Sequence, residues 1–138
     1  MPETLNISQA IGTTTRTLAI DPMHTLHLGA YRACCWAALW ACVLADIFGV
    51  GGTNAEVRSQ LTVERIRIDL MDWYRRRAVD HPDEPLQRLQ TLSLSMLGGP
   101  EKVSLSTKAA ETTSLMIYCV DLVRGHVLAL GARGAPLL

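Results

Sequence analysis

The run ACCWAALWACVLADIFGV, Ala33–Val50, narrows the folds open to this chain more than any other stretch. Asp46 is its single formally charged residue. A helix built from it is apolar all round, so most of its surface must be kept from water. Two arrangements do that: a helix buried at the centre of a folded domain, or a membrane span. Asp46 inside the run, Gly51-Gly52 directly after it and the lack of a basic anchor favour the buried helix. Ala and Cys are also weakly apolar, which makes a poor membrane span. On a central helix Cys35, Leu39 and Cys42 fall on one face, and Trp36 and Trp40 are covered on another.

The rest of the composition fits one domain. The chain has 138 residues, enough to enclose a core. Thirteen basic and thirteen acidic residues cancel, so no global field draws it to nucleic acid or to a membrane. A single Phe, three Tyr and three Trp leave Leu, Val, Ile and Ala to fill the core. Cys34, Cys35, Cys42 and Cys119 lack the CxxC spacing of zinc or thioredoxin sites. They read as reduced, buried small hydrophobes of an intracellular protein. Residues 1–17 are polar and Thr-rich, without the pattern of a secretory signal.

The chain divides into a lead-in, 1–16, a helical domain, 17–131, and a loose end, 132–138. RTLAID reads as a short strand that Pro22 stops. Asp21 is then either a functional acid at a strand end or an N-cap, with Pro22 at the first helical position. Helical character runs from Met23 to Phe48, with a break near Gly29. A second helix follows in TNAEVRSQLTVERIRIDLMDWYRRRAV, where Ile66, Leu70 and Trp73 share a face. Ile66, Ile68 and Leu70 also alternate as in a strand, but the pattern extending into Trp73 and Tyr74 favours helix. LQRLQTLSLSML predicts a helix closed by Gly98-Gly99-Pro100. A last helix starts near Thr107, its N-cap, and runs through Val123 toward Leu130. Leu115, Cys119, Leu122 and His126 lie on its inner face.

Three motifs carry possible chemistry. In DPMHTLH, Asp21, His24 and His27 are spaced by three, which on a helix sets neighbours on one face. Such a set can bind a divalent metal, or the histidines can be structural. In WYRRRAVDH, Arg75, Arg76 and Arg77 beside two aromatics can meet phosphates, or form a solvated helix end. Lys108 and Glu111 sit in the first turn of the last helix, where the dipole alone favours Glu. No Walker loop, GxGxxG or GxSxG occurs.

DPMHTLHLG resembles the D-x-M-H-x-L-x-L-G segment of transposase-like frames in eukaryotic DNA transposons near the CACTA type. DWY, LSLSMLG and STKAAET look like the downstream part of such frames. The resemblance covers roughly residues 17–125. It implies a DDE catalytic domain of RNase H-like fold interrupted by a helical insertion. The activity implied is cut-and-paste transposition by two divalent ions, Mg²⁺ or Mn²⁺, held by acids. Asp21 and His24 fit the signature, and Glu111 is the candidate final acid. Asp21 and Glu111 would then hold metal, while Arg75, Arg76, Arg77 and Lys108 would meet DNA. The chain departs from the pattern in having no run of strands ahead of residue 17 and no earlier Asp at the end of such a strand.

The expected architecture is mainly α, one helical domain with one or two short strands, forming the insertion or C-terminal part of an RNase H-like domain. The expected function is that of a transposase fragment, inactive alone and nuclear if functional, whose partners are DNA and the missing upstream part of the same protein. The first alternative is a non-catalytic helical interaction module. The second is a membrane-associated protein using residues 33–50.

Overall fold

The computed structural model describes residues 23–134, and among them every regular element is a helix. The mainly helical expectation holds. The strand expected in RTLAID lies outside the described residues, as does the lead-in; of the expected loose end, residues 132–134 instead continue a helix, and the remainder lies outside the described residues. Ile66, Ile68 and Leu70 belong to a helix rather than to a strand.

Helices α1 (Met23–Ala30) and α2 (Tyr31–Ala45) follow each other without a gap. The expected break near Gly29 is a change of winding instead: α1 is a π-helix and α2 an α-helix. The wider π turn shifts side-chain register by one residue per turn without breaking the backbone hydrogen bonds. Helix α2 stops at Ala45, short of Phe48, because Asp46 adopts the left-handed conformation (φ 47°, ψ 55°). Aspartate tolerates that region through local hydrogen bonding. Its carboxylate accepts the N–H groups of Val50 at 2.9 Å and Gly51 at 3.0 Å, which folds the exit loop back on the helix end.

Helix α3 (Ala55–Asp80) starts at Asn54, whose side chain accepts the Glu56 N–H at 2.9 Å. Val63, Ile66, Leu70, Trp73 and Tyr74 repeat at helical spacing and are buried. On the solvent side Glu64 pairs with Arg67 and Asp72 with Arg75, both at i, i+3.

The chain from 86 to 93 corrects the sequence reading. The helix expected over LQRLQTLSLSML shrinks to α4 (Leu94–Leu97). The Leu89 N–H donates to the Tyr74 hydroxyl at 3.0 Å, which satisfies it outside any helix. Leu89 and Leu92 are buried from this irregular segment. Ser93 then caps α4 by accepting the Met96 N–H.

Helix α5 (Ala109–Gly125) and α6 (Val127–Gly134) close the fold. The N-cap position belongs to Lys108, not to Thr107. A lysine side chain has no acceptor, so the cap works from the other side: Glu111 accepts the Lys108 N–H at 2.9 Å. Thr107 turns inward, its hydroxyl 2.7 Å from that of Thr112. Helix α5 ends at Gly125, with His126 Nδ1 2.9 Å from the Leu122 carbonyl, so the expected single helix to Leu130 is two. His126 is half-buried, while Leu115, Cys119 and Leu122 are buried as expected.

Helix α2 packs on α1, α3, α5 and α6. Cys35, Leu39 and Cys42 are fully enclosed and Trp40 is buried, as the run's pattern predicts. Trp36 is half-buried. Cys34 breaks the expectation that all four cysteines are buried: it is exposed, because it sits one position, about a quarter turn, off the face that Cys35 presents to α5.

Candidate functional site

The residues singled out in the sequence do not gather in one place. Asp21 lies outside the described residues. His24 belongs to α1, and its side chain also lies outside the description. His27 stacks on Tyr31 one turn later, with ring centroids 5.5 Å apart. Glu111 spends one carboxylate oxygen on the Lys108 N–H, the role that its place in the first turn of a helix favours. Among the described residues no group of three or more His, Cys, Asp or Glu is arranged to hold a metal ion.

The three arginines diverge. Arg75 is exposed and pairs with Asp72 at 2.7 Å, and Arg76 is exposed. Arg77 folds back into a half-buried network. It grips Glu84 with two N–H groups at 2.7 and 3.2 Å and lies over the Trp73 ring, 5.4 Å from the centroid. Asp121 stands 3.8 Å from the same guanidinium. The Glu84 hydrogen bond raises the Arg77 pKa, and the same bond lowers that of Glu84. Arg77 is therefore held as a structural cation, while Arg75, Arg76 and Lys108 point to solvent.

A polar seam ties α3 to α5. Trp73 Nε1 donates to Asp121 Oδ2 at 2.9 Å, and the Tyr118 hydroxyl donates to Asp69 Oδ2 at 2.9 Å. Burial, followed by the Asp69 charge, pushes the Tyr118 pKa far up, so the phenol stays a donor. The sequence gives little warning of this seam, since Asp69 and Asp121 look like ordinary surface acids.

The feature least expected from the sequence lies between α2 and α5. A groove of about 360 Å³ opens there, lined by Cys34 and Ala38 from α2 and by Met116, Cys119, Val120, Val123 and Arg124 from α5. Ala37 and Leu44 are exposed on α2, Val120 is partly exposed on α5, and Val127 and Leu128 are exposed on α6. Deeper in, Cys35 Sγ lies 3.9 Å from the Thr112 carbonyl and 3.9 Å from Met116 Sδ. Arg32 spans the top of the contact, donating to the Thr107 carbonyl at 3.0 Å. Trp36 Nε1 and Trp40 Nε1 are enclosed with no hydrogen-bond partner.

The segment Thr25–Ala45 is long and apolar enough to cross a membrane, and 28 % of its most apolar window is buried inside the fold. A soluble core helix meets the same criterion of length and apolarity. In the α2 part of this segment, Cys34, Ala37 and Leu44 are exposed and the other residues are buried or half-buried. No protein-family model, curated protein or solved structure matches the chain.

Proposed function

We propose that this chain is a non-catalytic helical interaction module whose α2–α5 face takes up a second copy of itself. What supports the reading is one observation: α2 carries no charged residue from Ala33 to Ala45, yet leaves Cys34, Ala37 and Leu44 in solvent beside an apolar groove. Val120 of α5, which lines the groove, and Val127 and Leu128 of α6 are exposed as well. Exposed apolar side chains beside such a groove are removed from water by association. The charges of the chain cancel, so two copies meet without net repulsion. Sedimentation of the purified chain over a range of concentrations tests this. Self-association that Leu44→Glu and Val120→Glu abolish, with the melting temperature kept, supports it. A chain that remains monomeric at its highest soluble concentration rules it out.

A second reading rests on DPMHTLHLG and its likeness to CACTA-type transposase frames. In it the chain is the helical part of a larger transposase-like protein, with Asp21, His24 and Glu111 near the chemistry and Mg²⁺ or Mn²⁺ as cofactor. Two carboxylates sharing a site repel, and a divalent ion relieves that repulsion. Titration with Mn²⁺ then raises the melting temperature as the ion exceeds its dissociation constant. The gain disappears in Asp21→Asn and in Glu111→Gln. An unchanged melting temperature in wild type across the titration removes the shared site.

A further inference from the structure

Three sulfur atoms from two helices converge where α2 packs on α5. Cys35 Sγ of α2 lies 3.9 Å from Met116 Sδ of α5. The Cys119 thiol, one turn further along α5, is hydrogen-bonded to Cys35. Thr112, Met116 and Cys119 follow each other at i, i+4, i+7, so a single stripe of α5 meets Cys35. Cys35 and Cys119 are buried and Met116 is half-buried. Met116 and Cys119 also line the groove, which opens the sulfur group to solvent.

Buried cysteine and methionine often serve only as core filling. The spacing of these three goes further. A metal ion centred among three sulfurs, at a metal–thiolate length of about 2.3 Å, sets them about 4 Å apart. The Cys35–Met116 separation already has that value. The donor set then selects the ion. Two thiols and a thioether are soft donors, the kind that favours Cu(I). Among the described residues no His, Asp or Glu joins these thiols in a group that could hold a metal, so the four protein ligands of a structural zinc site are not assembled here.

We propose that Cys35, Met116 and Cys119 form a three-coordinate site for Cu(I), entered through the α2–α5 groove. On uptake one Cu⁺ replaces the two thiol protons, which pass to water. The site then carries one net negative charge. Arg124 lines the groove, and Arg32, one turn ahead of Cys35, has its Nε enclosed without a hydrogen-bond partner. Both cations offset that charge. The ligands come from two helices and meet only in the folded chain, so the ion stabilises the fold. The site needs no second copy of the chain and is independent of self-association.

The test is an anaerobic titration of the chain with Cu(I), kept reduced by ascorbate, in competition with bicinchoninate. Wild type is expected to take one ion per chain, to melt at a higher temperature with it, and to show three sulfur neighbours in X-ray absorption. Excess Zn²⁺ does not displace the ion. Cys35→Ser and Cys119→Ser lose it to the chelator. Met116→Leu conserves volume, so the fold is kept, and it holds the ion more weakly with two sulfur neighbours. Cys34→Ser and Cys42→Ser bind as wild type does. Circular dichroism of each variant without metal establishes that it is folded. The proposal is overturned if wild type yields all its Cu(I) to the chelator, if Met116→Leu binds unchanged, or if folded Cys35→Ser or Cys119→Ser keeps the ion. It is overturned as well if binding requires Cys34, or if one ion is shared by two chains.

Discussion

The Tyr118 hydroxyl of α5 donates to Asp69 Oδ2 of α3 at 2.9 Å, joining residues 49 positions apart through the core. The same hydroxyl lies 3.4 Å from the Ile66 carbonyl. Tyr118 is 1 % exposed, so its O–H has no water to fall back on. Tyr118→Phe leaves Asp69 without this donor and costs about 1–3 kcal/mol in a urea titration. Asp69→Asn keeps an acceptor oxygen and costs less. Equal losses for the two variants would show that the charge of Asp69, and not the hydrogen bond, holds the seam.

Alkali should unfold the chain through Cys42. Burial pushes its thiol from 9.0 to about 11. A thiol raised in the folded state contributes stability that is complete below pH 9 and lost as pH rises toward 11. The loss is about 3 kcal/mol if the whole shift is realised. Tyr118 and Cys119 are raised as well and act in the same direction at high pH. Cys42→Ala removes one part of this limb, so its stability falls less steeply between pH 9 and 11 than that of wild type. Identical slopes would mean that Cys42 does not titrate while folded.

Gly98 admits no side chain. Its φ of 70° and ψ of −157° lie where L-residues are strained, and an added Cβ would overlap Ser104 Oγ. That hydroxyl is held at 3.2 Å from the Leu97 carbonyl. Gly98→Ala costs about 1–3 kcal/mol from the backbone alone. Adding Ser104→Ala to Gly98→Ala recovers the part due to overlap. A melting temperature for Gly98→Ala equal to wild type would mean that the turn relaxes into another conformation.

Arg77 and its two neighbours separate structure from DNA contact. Arg77→Ala loses the Glu84 pair and the Trp73 stack and lowers stability by about 1 kcal/mol. Arg77→Lys fails to restore it, since an ammonium cannot make the paired contact to Glu84. Under the transposition reading, Arg75→Ala, Arg76→Ala and Lys108→Ala leave the melting temperature unchanged and each lowers the salt dependence of duplex DNA binding by about one. DNA affinity that none of the three alters would remove these residues from any phosphate contact.

The helices were legible where apolar spacing extended over many residues. Ile66, Leu70 and Trp73 place one face of α3, and Cys35, Leu39 and Cys42 place that of α2. The segment from Leu86 to Leu97 misled, because its leucines suit a helix and the Tyr74 hydroxyl that captures Leu89 lies 15 positions away. Local propensity cannot register such a partner. Glu111 was legible as a helix-opening acid, and the cap it makes agrees. The groove was not legible: Cys34 differs from Cys35 by one position in sequence, and only the placement of α5 decides which of them is covered. Asp69 and Asp121 carry no sequence mark of their partners either, since both contacts arise from tertiary packing.

Helix α2 meets α5 through residues such as Arg32 with Thr107 and Cys35 with Thr112, which stand 75 and 77 positions apart. On a ribosome adding about 5–20 residues per second, that interval lasts roughly 4–15 s. Throughout it the most apolar of the described helices is outside or nearing the exit tunnel while α5, which packs on it, has not been made. Newly made chains are thus most exposed to chaperone capture and to clumping between neighbours on one messenger. Placing α5 ahead of α2 in the order of synthesis would shorten that interval and raise soluble yield.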